Sequence, residues 1–466
     1  MNSKDARGLP VSTQSAAALE RYEQAALQTH GYFGNPLETI DAALAEDPDF
    51  AMAHALRANL AVMSSEQGAL PLIQASAEAL DRIGTRANAR ERAHIAAAAA
   101  WMKGDFDRAV QFYGSIAVEY PRDLLALQTA HVIDFFLGDS LMLRDRPAQV
   151  MAQWNPQVPG FGYLLGMYAF GLEEMANYSR AEDVGRRALD LNARDPWAVH
   201  AVEHVFEMQG RVHDGVEWLQ ATSPNWSESA LAFHNWWHLA LHHLELDEFE
   251  VALNLYDRVI HPKASVVALE LVDASQFLWR VALRGHDVGA RWQALADCWA
   301  QPAERGYYVF NDAHALMAYA YAGRDDQVRG ILATLAQRAD DPDTNGRNTR
   351  DVGLPLARAI VAFAQGRHAE AAELLLPVRS RASRIGGSHA QRDIVQLTCL
   401  EAALQSGNGR LARALAGERT EHKPASSFNW QLTARALDAE GDSAAAKAAR
   451  EHAELRRRAQ LRRSAA

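Results

Sequence analysis

Five histidines carry the spacing that chemistry would need. His200 and His204 stand four apart in the run Trp197-Ala198-Val199-His200-Ala201-Val202-Glu203-His204, His234 and His238 stand four apart in His234-Asn235-Trp236-Trp237-His238, and His314 follows further on. On an α-helix a four-residue step turns only ~40°, so each pair presents two imidazoles on one face. Neutral imidazole is a common ligand for divalent metals and titrates near neutral pH. The pattern predicts an internal site for a metal or a polar small molecule, lined by His200, His204, His234, His238 and His314. Glu203, Glu270, Asp273 and Asp312, with Asn311 beside the last, are the groups expected to orient the rings by accepting their other N–H. Trp197 and Trp237 would border the site and exclude water. The stretch His200 to His204 also spells His-x-x-Glu-His, the inverted zincin arrangement in which the Glu serves as base. A third ligand at the usual spacing is lacking, so this run by itself predicts no protease. A plainer account fits the same positions: histidines at the border of an apolar face, hydrogen-bonded to carboxylates and carbonyls between packed helices.

Such residues need helices to hold them. From Ala17 onward the chain is rich in Ala, Leu, Glu and Arg, with Gly and Pro placed between segments and no convincing series of strands. Openings of the form Gly-x-aromatic-x-x-Ala recur, as in Gly104-Asp105-Phe106-Asp107-Arg108-Ala109 and, with histidine, Gly366-Arg367-His368-Ala369-Glu370-Ala371. Prolines 48, 121 and 196 lie 73 and 75 residues apart, close to two repeats of ~34 residues plus loop. The expectation is an all-α, tetratricopeptide-like solenoid or superhelix of antiparallel helix pairs, irregular in the centre. It would run as a single continuous domain over 17–466 after a flexible lead-in at 1–16. Trp197, Phe206, Trp237, Leu241 and Leu271 are expected in its core, with Asn311 or Asp312 capping a helix.

The runs His234-Asn235-Trp236-Trp237-His238, Leu271-Val272-Asp273-Ala274-Ser275, Phe310-Asn311-Asp312-Ala313-His314, Arg350-Asp351-Val352-Gly353-Leu354-Pro355 and Gly386-Gly387-Ser388-His389-Ala390-Gln391-Arg392-Asp393 together resemble the tetratricopeptide repeat protein 38 family. The resemblance spans roughly residues 36–404. It implies an all-helical repeat fold and no particular reaction.

Composition narrows the function classes. A net charge of −11 argues against a nucleic-acid partner, and the absence of a long apolar run argues against a membrane. Two distant cysteines, Cys298 and Cys399, suit a reducing cytoplasm better than a disulfide framework. The expected partner is a small molecule or peptide, with a homo-oligomer as a further prospect. Five lysines stand against 42 arginines, and the histidines gather in one patch instead of recurring by repeat. That favours a closed central pocket rich in His and Trp over an extended peptide groove. An enzyme using the five-histidine cluster, with a divalent metal as its cofactor, and a purely structural scaffold are the alternatives.

Overall fold

The computed structural model describes residues 3–301 and 305–463. Among them there are 25 α-helices and no strand, beyond one isolated bridge between Lys4 and Pro10. Short polar residues start the helices: Asp105, Asp123 and Asp139 each accept a backbone N–H three positions on, which satisfies donors the first turn would otherwise leave bare. Asn88 with Glu91, and Ser388 with Gln391, form reciprocal capping boxes. The prolines fall where the spacing placed them. Pro48 lies between the helices Pro36–Glu46 and Ala51–Met63, Pro121 between Phe106–Glu119 and Leu124–Leu137, and Pro196 opens Pro196–Gln209.

Consecutive helices pack as hairpins, and small residues set how closely. A Cβ added at Gly171, in the Phe161–Glu174 helix, would collide with the backbone of Leu143 and Arg144 in the Ser140–Val150 helix. The array is the helical-repeat architecture expected. Its contacts gather into two compact units: Met1–Val202 with Pro224–Ala232 and Asp341–Arg347, and Glu203–Ser223 with Phe233–Asp340 and Asn348–Ala466.

In the first unit Trp101 stacks on Phe106 with ring centroids 3.8 Å apart, and Leu124, Leu127, Phe161 and Leu164 form part of a buried cluster. In the second, Trp237, Trp279, Leu271 and Phe277 are fully buried. Phe206, Trp237 and Leu271 are therefore core residues as expected. Trp197 and Leu241 are only half-buried, because Trp197 sits in the first turn of its helix, stacked on the half-exposed Tyr32, and Leu241 lines a cleft.

The lead-in, expected to be flexible, is tied down over its described part. Asp5 pairs with Arg90 at 3.2 Å, Pro10 accepts from Arg90 and Asn88, and the Ser12 N–H donates to Glu91 at 2.8 Å. A buried guanidinium needs carboxylates around it, and Arg90 takes Asp5 as well as Asp123. Met1 and Asn2 lie outside the described residues. No helix among the described residues is long and apolar enough to cross a membrane. Both cysteines are free and buried.

Candidate metal centre in the second unit

Three segments of the second unit bring the chemistry together: the end of Pro196–Gln209 from Glu203 onward, Ala232–Glu245 and Ala268–Leu283. His234 Nδ1 donates to Asp273 Oδ2 at 2.6 Å, His238 Nδ1 to Glu207 Oε2 at 3.0 Å and His242 Nε2 to Glu203 Oε1 at 2.6 Å. The partners of His238 and His242 step backwards by four as the histidines step forwards by four. That is the register of two antiparallel helices meeting one turn at a time. The sequence reading left Glu207 and His242 out of the site, although the four-residue steps from Glu203 and from His238 were the signal for both.

A carboxylate accepts but does not donate, so each paired nitrogen carries the proton, and in a neutral ring the lone pair lies on the other nitrogen. For His234 and His238 that other atom is Nε2. His204 meets His238 edge-on with centroids 4.7 Å apart, and His234 meets His238 the same way at 4.8 Å. His204, His234 and His238 each offer a ring nitrogen within 4.8 Å of the others, and all three are buried. Trp237 stacks on His234 at 5.4 Å and stands edge-on to His238 at 4.8 Å, fixing both rings.

Burial sets the charges. It pushes the His238 imidazole down to about 3 despite its bond to Glu207, and the neighbouring His204 and His234 oppose its protonation further. Burial would raise Glu207, but Lys423, 3.2 Å away, and His238 hold it well below the ordinary carboxylate range. Burial raises Glu203, opposed by His242. His242 is itself lifted, because Glu203 outweighs the burial that would lower it. Asp273 is held from its far side, where Gln391 Nε2 donates to Oδ1 at 3.3 Å.

The other expected site residues are placed as follows. His200 belongs to the first unit, where its ring lies 5.3 Å from Phe170 and 4.9 Å from Trp197. His314 donates Nδ1 to the Phe310 carbonyl at 2.7 Å and lines a separate small cavity of about 20 Å³. Asp312 accepts the Gly306 N–H with both oxygens, at 3.1 and 3.0 Å. The helix Val309–Tyr321 is capped by Tyr308, with Asn311 and Asp312 already inside its first turn; the tight turn at Gly306 starts the helix earlier than the polar pair suggested. Glu270 is half-buried and pairs with no histidine among the described residues.

No family model matches the chain. Among solved structures it is similar to a human IFIT1 dimer with m7Gppp-AAAA, at 13% identity over 95% of this chain and 90% of that one with a TM-score of 0.36. A human IFIT1 dimer with PPP-AAAA is similar at 12% identity over 95% and 91%, with a TM-score of 0.36. The TPR domain of P58(IPK) is similar at 12% identity over 81% and 97%, with a TM-score of 0.22. The likeness reaches the helical-repeat fold and no further. The finer resemblance to the tetratricopeptide repeat protein 38 family therefore rests on its sequence motifs alone. One expectation is corrected: net charge alone does not exclude a nucleic-acid partner, and among the similar structures IFIT1 is solved with m7Gppp-AAAA and PPP-AAAA. Net charge averages over the whole surface.

Proposed function

We propose that the second unit is a metal-binding helical-repeat module, in which His204, His234 and His238 hold one divalent transition metal and leave a coordination position open to a small ligand. The observation that carries this reading is the convergence of three buried ring nitrogens within 4.8 Å, together with carboxylates on the outer nitrogens of two of them. A carboxylate behind a metal-bound imidazole fixes the tautomer and makes the ring a better donor. Bonds of ~2.0–2.1 Å in tetrahedral geometry put ligand nitrogens roughly 3.3 Å apart, a closure within reach of small side-chain rotations. All-nitrogen donors suit zinc, copper or nickel and not calcium or magnesium, which take oxygen. A reducing cytoplasm, suited to the two free thiols, belongs to this reading.

The test is metal analysis of the full chain without an affinity tag, with thermal unfolding before and after zinc is added. About one metal per chain is expected, and zinc at ~100 times its Kd should add ~2.7 kcal/mol of stability. His238→Gln and His234→Gln should abolish both effects while the helical circular dichroism stays. If the histidines are plain core-border residues, zinc changes nothing in the wild type and His238→Gln only lowers its stability; that result refutes the reading.

A further inference from the structure

A second feature of this unit is a cleft of about 80 Å³, where ~10–15 Å³ is enough to admit one water. Four cations and three carboxylates wall it. The carboxylates are already matched: Asp393 takes both Arg419 nitrogens at 2.7 and 3.2 Å, Glu207 takes Lys423 at 3.2 Å, and Glu245 stands 4.0 Å from Arg284. Arg280 is left over. Arg280 is buried, 6% exposed, and its guanidinium has no carboxylate within ion-pair distance among the described residues. It donates to neutral oxygens only, Gln276 Oε1 at 2.9 Å, the Gln276 carbonyl at 3.4 Å and the Ala390 carbonyl at 2.5 Å, and lies 5.3 Å from the Trp237 ring.

A buried charge with no carboxylate in contact is unfavourable, and burial lowers the Arg280 pKa against the more distant pull of Asp393, Glu207 and Asp273. A guanidinium does not escape by losing its proton at neutral pH. What Arg280 lacks is a negative group in direct contact.

We infer that the cleft is a binding site for the oxyanion of a small molecule, a carboxylate or phosphate, gripped by Arg280 with Lys423. Two of the three Lys423 donors are not taken by Glu207, and the Ser427–Glu440 helix presents its N-terminus through Ser426, which lines the same cleft. A helix start adds positive potential to an anion site, while the Phe428 and Asn429 N–H groups at this one already donate to Glu245 and to Ser426. The body of the ligand has a place as well. A second cleft, of about 500 Å³, shares Arg284 and Phe428 with the first and adds the rings of Phe249, Tyr321 and Phe363. Arg284 lies 3.6 Å over the Phe428 ring, so the partition between the clefts is held rigidly. An oxyanion attached to an aromatic or apolar body matches both. The inference uses residues other than the three proposed metal ligands and stands without the metal.

The experiment follows the melting temperature of the full chain against inorganic phosphate, acetate and benzoate, with ionic strength held constant by sodium chloride. A saturable rise is expected with phosphate or with the carboxylates, whichever oxyanion the cleft takes, and benzoate should saturate at lower concentration than acetate. Arg280→Gln should raise the half-saturating concentration about tenfold or more, the loss of a charge-assisted bond. Lys423→Gln, at a half-buried position, should weaken binding in the same direction and serves if Arg280→Gln folds poorly. Arg413→Gln, an exposed arginine paired with Glu440, should change nothing. A wild type that none of the three anions saturates, or a rise that survives both cleft substitutions, overturns the inference. Repeating the titration after chelator treatment and dialysis separates the two sites: a rise retained without metal supports the cleft, and a rise lost with the metal assigns the anion to the metal and sinks the cleft.

Discussion

His131 is a buried imidazole with neither ring nitrogen hydrogen-bonded to any described residue, set edge-on to Phe170 at 5.9 Å and to Trp197 at 5.6 Å. Burial pushes its pKa from 6.5 to about 3. The folded value lies below the unfolded one, so the unfolded chain binds more protons throughout that window. The contribution of His131 is fully present above pH 6.5 and is lost as the pH falls towards 3. Asp195 works in the opposite direction, since burial raises it to about 7, and the wild-type profile is a sum of such terms. The difference made by one substitution is cleaner. His131→Phe should appear ~2 kcal/mol better relative to the wild type at pH 5 than at pH 7, about 1.5 pH units below the unfolded pKa at 1.36 kcal/mol each. Chemical denaturation of both proteins at both pH values measures it, and an equal difference at the two would mean His131 is solvated or paired.

Among the helices, Ala232–Glu245 does several tasks through one side chain. Trp237 is fully buried, stacks on His234, stands edge-on to His238 and lies beneath Arg280. Trp237→Ala should cost about 3–5 kcal/mol, as deletion of a large core aromatic does, and should loosen zinc and oxyanion binding together. A variant of unchanged stability would contradict its burial. The hairpin made by Ser140–Val150 and Phe161–Glu174 depends instead on a missing atom. Gly171→Ala would drive a methyl into the Leu143 backbone, which cannot swing aside as a side chain can. A loss of about 1–3 kcal/mol is expected, read as a lower midpoint in urea; a midpoint at or above the wild-type value would show that the helices separate freely.

For the whole molecule, the contacts divide the chain into two units, and the proposed ligands all belong to the second. Hydrogen exchange with and without zinc should therefore show slower exchange in Ala232–Glu245 and in 203–209, and little change in Tyr178–Leu191 of the first unit. Uniform protection, or none near His238, would count against a metal held by that unit. Charge reads differently at this scale too. A total of −11 coexists with an unmatched cation at Arg280, because a repeat array buries its groups locally and sums them only at a distance.

Properties that depend on near neighbours in the chain were legible from the residues alone. Helix periodicity, the Gly-x-aromatic-x-x-Ala openings and the prolines at 48, 121 and 196 foretold the all-helical array, and four-residue steps foretold that His234 and His238 share a face. Properties that depend on register between distant segments were decided by tertiary structure. The 39 residues separating His234 from Asp273 and His242 from Glu203 carry no local mark of which carboxylate meets which ring. Packing also drew Asp5 onto Arg90, tying down a lead-in that looks loose in sequence, and sent His314 to a cavity of its own. It left Arg280 without the acid that each cation near it obtained. A helix turn is set by bonds four residues long, whereas a buried charge is satisfied or left bare only by the position of every helix around it.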